Sequence, residues 1–149
     1  MRPRGRALLL ALVVGMLLAS CVAPARMAEA YQDKAADTAS SVVSAARTVL
    51  LAARVGADRE SFAPTVSILV AEGEGDALTA RDTFASIQPP DEASDRLRAS
   101  LLADLGRVVG VIAAVRIAAR RGELDRLEHL AAPLRVLAER LDRFATRYG

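Results

Sequence analysis

Apolar and small residues recur at alternating steps of four and three along most of the chain, the spacing of an α-helix with one buried face. The pattern predicts four helices, over 28–55, 61–87, 92–121 and 123–147. No segment alternates apolar and polar residues as a half-buried strand does. We therefore expect an all-α protein.

The same stripes predict the core. In the first two helices the stripe positions are Tyr31, Ala35, Thr38, Val42, Ala45, Val49, Ala52 and Gly56, then Phe62, Val66, Leu69, Gly73, Ala77, Ala80, Phe84 and Ile87. In the last two they are Leu97, Leu101, Leu105, Val108, Ile112, Val115 and Ala119, then Leu124, Leu127, Ala131, Leu134, Ala138, Leu141, Ala145 and Tyr148. The run 108–115 is apolar all round, and we expect it to be the most buried part.

Prolines and glycines mark the predicted helix ends. Pro64 fits a first helical turn, and Gln88-Pro89-Pro90-Asp91 ends the second helix and supplies Asp91 as the cap of the third. Gly122 suits a helix C-terminus, and Pro133 should kink the last helix. Short turns between helices of similar length predict an antiparallel up-down-up-down four-helix bundle over 31–149.

The N-terminal segment has a different pattern. Arg2, Arg4 and Arg6 precede an uncharged apolar run over 7–18, and that run ends in Leu18-Ala19-Ser20-Cys21. A run of about a dozen residues has the length of a signal-peptide core and is shorter than the roughly 20 residues of a membrane-spanning helix. This order of segments resembles the leader and lipobox of bacterial prolipoproteins.

The resemblance implies a processing route. Cys21 would carry a diacylglyceryl group on its sulfur, and a lipoprotein signal peptidase would cut between Ser20 and Cys21. Residues 1–20 would then be the signal peptide and 21–30 a lipidated tether, which holds the domain on the extracytoplasmic face of the cell membrane. Two other interpretations stay open: a secretory leader cut near Ala23 or Ala25, and an uncleaved N-terminal anchor.

Composition narrows the function. The chain of 149 residues is 52% hydrophobic and 3% aromatic, with one Cys and one His. These counts exclude an internal disulfide and multi-Cys metal sites and disfavour most His-containing zinc sites and a base-stacking platform for nucleic acid. The net charge is +2, but loss of the three leader arginines leaves 17 basic against 18 acidic residues, a net charge of −1. We therefore expect no nucleic-acid partner.

Arginines on apolar helices are the candidates for ligand contact. Arg47 and Arg54 share a helix face, and with Arg116 they are candidates for binding an anionic headgroup or phosphate. The alternative is that these arginines, and Arg107 with them, lie along the bundle edge and form ion pairs. The carboxylates considered as their partners are Asp104, Asp82 and Glu72.

Two further features indicate structure rather than chemistry. Glu72-Gly73-Glu74-Gly75-Asp76 lacks the Glu that a calcium-binding EF-hand needs at position 83, where Thr83 stands, so we expect a bend or flexible turn. His129 has no second His or Cys for a metal, and we expect it to face solvent. Because no catalytic motif occurs, we expect no enzyme, no cofactor and no metal.

The mature part resembles small helical lipoproteins of unassigned function in high-GC Gram-positive bacteria. The resemblance covers roughly 60–145 and lies in Ile87-Gln88-Pro89-Pro90-Asp91, Leu97-Arg98 and the segment 116–122. It implies no activity. We expect a non-catalytic interaction or scaffold module with a protein partner at the cell envelope. The alternative is a carrier that encloses a small apolar or lipid ligand in a cavity near Gly73 and Gly110.

Overall fold

The computed structural model describes residues 3–58 and 62–149; for 3–25 it describes the backbone but no side chains. The protein is all-helical, as expected, and no β-strand occurs within these residues. Its elements are α1 (Pro3–Ala57), α2 (Ala63–Ser86), α3 (Glu92–Arg120), a 3₁₀ turn (Leu124–Arg126), α4 (Leu127–Ala131) and α5 (Pro133–Tyr148).

Helix α1 begins earlier than the pattern predicted. Residues 21–30, which we expected to be a tether, are helical and belong to α1. The last five of them, Arg-Met-Ala-Glu-Ala, are strong helix formers and favour this conformation.

Side chains fix the connection between α2 and α3. The Ser94 amide donates to Asp91 Oδ1 at 2.7 Å, which confirms the predicted cap. The Arg98 guanidinium of α3 donates to the Ala85 carbonyl at the end of α2. Together these bonds satisfy backbone groups at both helix ends that the helices themselves leave without partners.

Gly122 and Pro133 also act as expected. Gly122 has a φ of 71°, and its amide donates to the Ala119 carbonyl at 3.0 Å, so α3 ends in a left-handed glycine. Pro133 divides the last helical region, because it lacks the amide that would bond to the His129 carbonyl. That carbonyl accepts from Ala132 instead, at 3.3 Å.

The core is centred on α1, which packs against each of the other helices and most extensively against α2 and α5. The predicted stripes of α1, α3 and the α4–α5 region are largely buried, as expected. Helix α1 buries more than one stripe, because it has neighbours on several sides. The additional buried residues are Ala36, Ala39, Val43, Ala46 and Ala53.

The expected bend or flexible turn at Gly73 and Gly75 is wrong. Helix α2 continues through both glycines without interruption. Gly73 is buried, and a Cβ built on it would lie 2.7 Å from Val49 Cγ2 of α1. The glycine allows α1 and α2 to approach closely and does not interrupt the helix.

Some predicted core positions lie at the surface. Phe62 is 84% exposed and Leu69 is also exposed, although both belong to the predicted stripe of the second helix. Within 108–115 only Val108, Ile112 and Val115 are buried, while Gly110 and Ala114 are exposed. An apolar run thus leaves part of its surface uncovered.

Candidate interaction surface

The predicted lipidation site lies outside the described side chains. Ser20 and Cys21 fall in the part of α1 for which only the backbone is described. From Arg26 onward, none of the described helices is long and apolar enough to cross a bilayer.

The two candidate arginines of α1 form separate ion pairs. Arg47 lies 3.4 Å from the Asp142 carboxylate of α5, and Arg54 lies 4.0 Å from Asp58. All four side chains are more than half exposed, so each pair contributes little to stability. Ion pairing was the alternative to ligand contact for these arginines, but neither Asp142 nor Asp58 was among the carboxylates considered.

Arg116 forms a more buried pair between two helices. Its Nε lies against Glu74 Oε2 of α2, and the side chains are 24% and 14% exposed. Glu74 was not among the carboxylates considered as partners; Glu72, which was, is exposed and lies two residues earlier. The structure therefore does not bring Arg47, Arg54 and Arg116 to one anion site, since each has its own carboxylate.

An apolar groove runs between α3 and the α4–α5 region. Gly110 and Ala114, two small residues, line its α3 side. Nothing lies within 4 Å of a Cβ built on Gly110, so the groove is open there. On the opposite side Val136 is 59% exposed. The groove has a volume of about 630 Å³. Its lining residues are Arg107, Gly110, Val111, Ala114, Leu130, Pro133, Val136 and Leu137.

A second depression, the arginine pocket, lies between α3 and α5. It has a volume of about 300 Å³ and is lined by Leu97, Ser100, Arg140, Arg143, Phe144, Arg147 and Tyr148. Asp104 links it to the apolar groove, since its Oδ1 accepts from Arg107 at 2.9 Å and from Arg140 at 3.2 Å. The Arg107–Asp104 pair is one that the sequence predicted.

The arginine pocket was not predicted from the sequence. Arg140, Arg143 and Arg147 follow one another at steps of three and four, which places them on one face of α5. That signal was present in the sequence, but it also describes a solvated helix face. Only the position of α3 beside them makes the row one wall of a pocket.

No family model, curated protein or solved structure matches this chain. Among the described residues, the apolar groove and the arginine pocket both lie between α3 and the α4–α5 region. A smaller apolar patch of about 170 Å³ lies between α1 and α2, where Leu51 and Leu69 are exposed.

The titratable groups with shifted pKa values lie away from the apolar groove. Burial raises the pKa of the Tyr31 phenol, and the nearby Arg98 partly opposes that shift. The Ser94 amide lowers the pKa of Asp91, because it donates to the charged carboxylate. Both shifts follow from roles in packing and capping rather than from a shared cleft.

Nothing among the described residues forms a metal centre. No three His, Cys, Asp or Glu residues from Arg26 to Asp58 and from Phe62 to Gly149 lie close enough together to hold an ion. His129 is exposed on α4, as expected. Within the acidic segment of α2, Glu74 forms an ion pair with Arg116.

Proposed function

We propose that this protein is a lipid-anchored, non-catalytic interaction module on the extracytoplasmic face of the cell envelope. The support for the anchor is the order of leader segments before Cys21. Two acyl chains suffice for stable anchoring, since each buried CH₂ contributes roughly 0.8 kcal/mol. Fractionation tests this part: the wild type should sediment with membranes, and a Cys21→Ala variant that reaches the soluble fraction would agree with it. Recovery of the wild-type protein from the soluble fraction with an unmodified N-terminus would contradict it.

We also propose that the helices form an antiparallel up-down-up-down bundle. Contacts between α1 and α2 support opposite directions for these two helices. Tyr31 near the start of the described part of α1 stacks on Phe84 near the end of α2, with ring centroids 5.4 Å apart. Further along α1, Val49 lies against Gly73, nearer the start of α2.

Similar contacts support opposite directions for α2 and α3. In the α2–α3 pair, Arg116 near the end of α3 contacts Glu74, and Arg98 near its start reaches the end of α2. Spin labels test the topology: Lys34 and Gln88 should be close, whereas Lys34 and Thr65 should be separated by most of the length of α2. The 24 residues of α2 span about 36 Å. The reverse order of the two distances would contradict the proposal.

The observation that carries the interaction function is the open apolar groove. Small residues at Gly110 and Ala114, four apart on α3, permit an external helix to approach the backbone closely. Exposed apolar surface of this kind marks protein contact sites. We therefore propose that the occupant is the apolar face of an amphipathic helix from an envelope protein.

The carrier alternative has less support from the contacts. A carrier would need an enclosed cavity, which was predicted near Gly73 and Gly110. At Gly73 the space is filled by Val49, and at Gly110 the surface is an open groove. A bound lipid remains one outcome of the experiment that tests the groove.

Photocrosslinking from Val136 tests the groove directly. The full-length protein would carry a photoreactive residue at 136, and crosslinking would be done in intact cells. We expect an adduct with one envelope protein that disappears when Gly110→Leu fills the groove. Gly75→Leu is the matched control, because Gly75 is an equally open helical glycine on α2.

Three results would contradict the proposed docking. The first is an adduct that survives Gly110→Leu, and the second is one lost equally in Gly75→Leu. The third is an adduct with the mass of a lipid alone, which would favour the carrier.

A further inference from the structure

The arginine pocket combines cationic side chains with hydroxyl and aromatic groups. Arg140, Arg143 and Arg147 line it from α5, and Ser100 lines it from α3. Phe144 and Tyr148 of α5 complete its wall, with ring centroids 4.7 Å apart. A pocket of about 300 Å³ is large enough for a small charged group together with part of the molecule that carries it.

The pocket has an excess of positive charge. Arg140 shares the Asp104 carboxylate with Arg107, so one carboxylate is divided between two guanidinium groups. Arg143 and Arg147 form no ion pair with any described residue from Arg26 to Asp58 or from Phe62 to Gly149.

Neither of the two acids of α5, Glu139 and Asp142, forms an ion pair with these arginines. Asp142 lies between Arg140 and Arg143 in sequence but pairs with Arg47 of α1 at 3.4 Å. The mature chain would have a net charge of −1, so the positive charge here is a local feature and does not reflect the whole surface.

We propose that the arginine pocket binds the phosphate group of a small phosphate ester. Guanidinium groups donate two parallel hydrogen bonds to phosphate oxygens, and Arg143 and Arg147 are the pair without a competing carboxylate. The Ser100 hydroxyl provides a further donor from α3, and the aromatic pair contacts the organic part of the ester. The phosphate belongs either to a lipid headgroup or to a soluble ester. This site does not depend on the proposed protein partner in the apolar groove.

Nuclear magnetic resonance of the full chain in micelles of an uncharged detergent tests the proposal. The probes are glycerol 3-phosphate, short-chain phosphatidylglycerol and, as the uncharged reference, glycerol. We expect both phosphate probes, or one of them, to shift the Ser100 amide and the Nε–H signals of Arg143 and Arg147. A response to the soluble probe alone identifies a soluble ester, and a response to the lipid alone identifies a headgroup. No response to either probe would overturn the proposal.

A pair of double variants separates a site from diffuse charge. Arg143→Gln/Arg147→Gln should raise the dissociation constant for the responding probe roughly tenfold or more, since two charge-assisted contacts are lost. Arg120→Gln/Arg121→Gln removes the same charge from two exposed arginines at the end of α3 and should change it less than about twofold. Equal weakening by both pairs would overturn the proposal. Because Arg143 and Arg147 are exposed, both double variants should keep the wild-type circular dichroism spectrum. The chemical-shift changes of the wild-type protein are a second test that needs no variant.

Discussion

Val49 of α1 occupies the space beside Gly73 of α2 where any other residue would carry a side chain. A Cβ built on Gly73 would lie 2.7 Å from Val49 Cγ2 and 3.3 Å from the Ala45 carbonyl oxygen. The contact brings the two helices together at the middle of the core. Gly75, two residues further along α2, has nothing within 4 Å of the same construction.

This difference predicts opposite effects for one substitution at two positions. Gly75→Ala should raise the free energy of unfolding by about 0.5–1 kcal/mol, because alanine favours the helix. Gly73→Ala gains the same propensity but must displace Val49, and overpacking should lower the free energy by about 1–3 kcal/mol. Urea denaturation of both variants measures the difference. Stabilisation of similar size at both positions would contradict the close approach.

A second comparison concerns two phenylalanines of the same predicted stripe. Phe84 is buried against Tyr31, whereas Phe62 is exposed at the start of α2. Phe84→Ala should therefore lower the free energy of unfolding by about 3–5 kcal/mol, and Phe62→Ala by less than about 0.5 kcal/mol. Thermal and urea denaturation give both values. A large loss at Phe62 would place it in the core, as the sequence pattern alone predicted.

The Glu74–Arg116 pair should matter more than the surface pairs. Both side chains are largely buried between α2 and α3, so removal of one partner leaves the other without compensation. Glu74→Gln and Arg116→Gln should each lower the free energy of unfolding by about 1–3 kcal/mol, and a double-mutant cycle should give a clear interaction energy. Arg54 and Asp58, both exposed, are the control pair, with an interaction below about 0.5 kcal/mol. Equal interaction energies for the two pairs would show that burial does not strengthen the Glu74–Arg116 pair.

The cap of α3 predicts a pH dependence of stability. The pKa of Asp91 is lowered from its ordinary 3.8 in the folded protein, because its carboxylate accepts from Ser94. Its contribution is therefore present above that ordinary value and is lost as pH falls through the folded pKa. Asp91→Asn keeps a side-chain oxygen that can cap the helix but does not titrate there.

Unfolding measured from pH 7 to pH 2 checks this contribution. The stability difference between the wild type and Asp91→Asn should be constant above about pH 5. At lower pH the wild type should lose stability relative to Asp91→Asn, as Asp91 becomes protonated. A difference that is the same at all pH values would contradict the capping role.

Local rules predicted the helix ends well and the helix contacts less well. Asp91, Gly122 and Pro133 act through bonds within a few residues, so their effects follow from the sequence directly. The role of Gly73 depends on Val49, which is 24 positions away in the chain. A glycine that permits close approach and a glycine that breaks a helix look the same in a single sequence.

The same distinction applies to the candidate sites. Ion pairing was one of two interpretations of the arginines on apolar helices, but the choice of carboxylate is made by the packing of distant segments, as for Arg47 and Asp142. The row Arg140, Arg143 and Arg147 was visible as a spacing, and its meaning came only with Ser100 on the facing helix. The apolar groove was likewise hidden, because the run around Gly110 predicted burial.

The proposed function depends most on the fate of Cys21. Intact-mass and peptide mass spectrometry of the protein isolated from its native membranes test this directly. We predict that the chain begins at Cys21 and that its first residue carries the mass of a diacylglyceryl group. A protein that retains residues 1–20, or one that begins downstream of Cys21, would contradict the proposed anchoring.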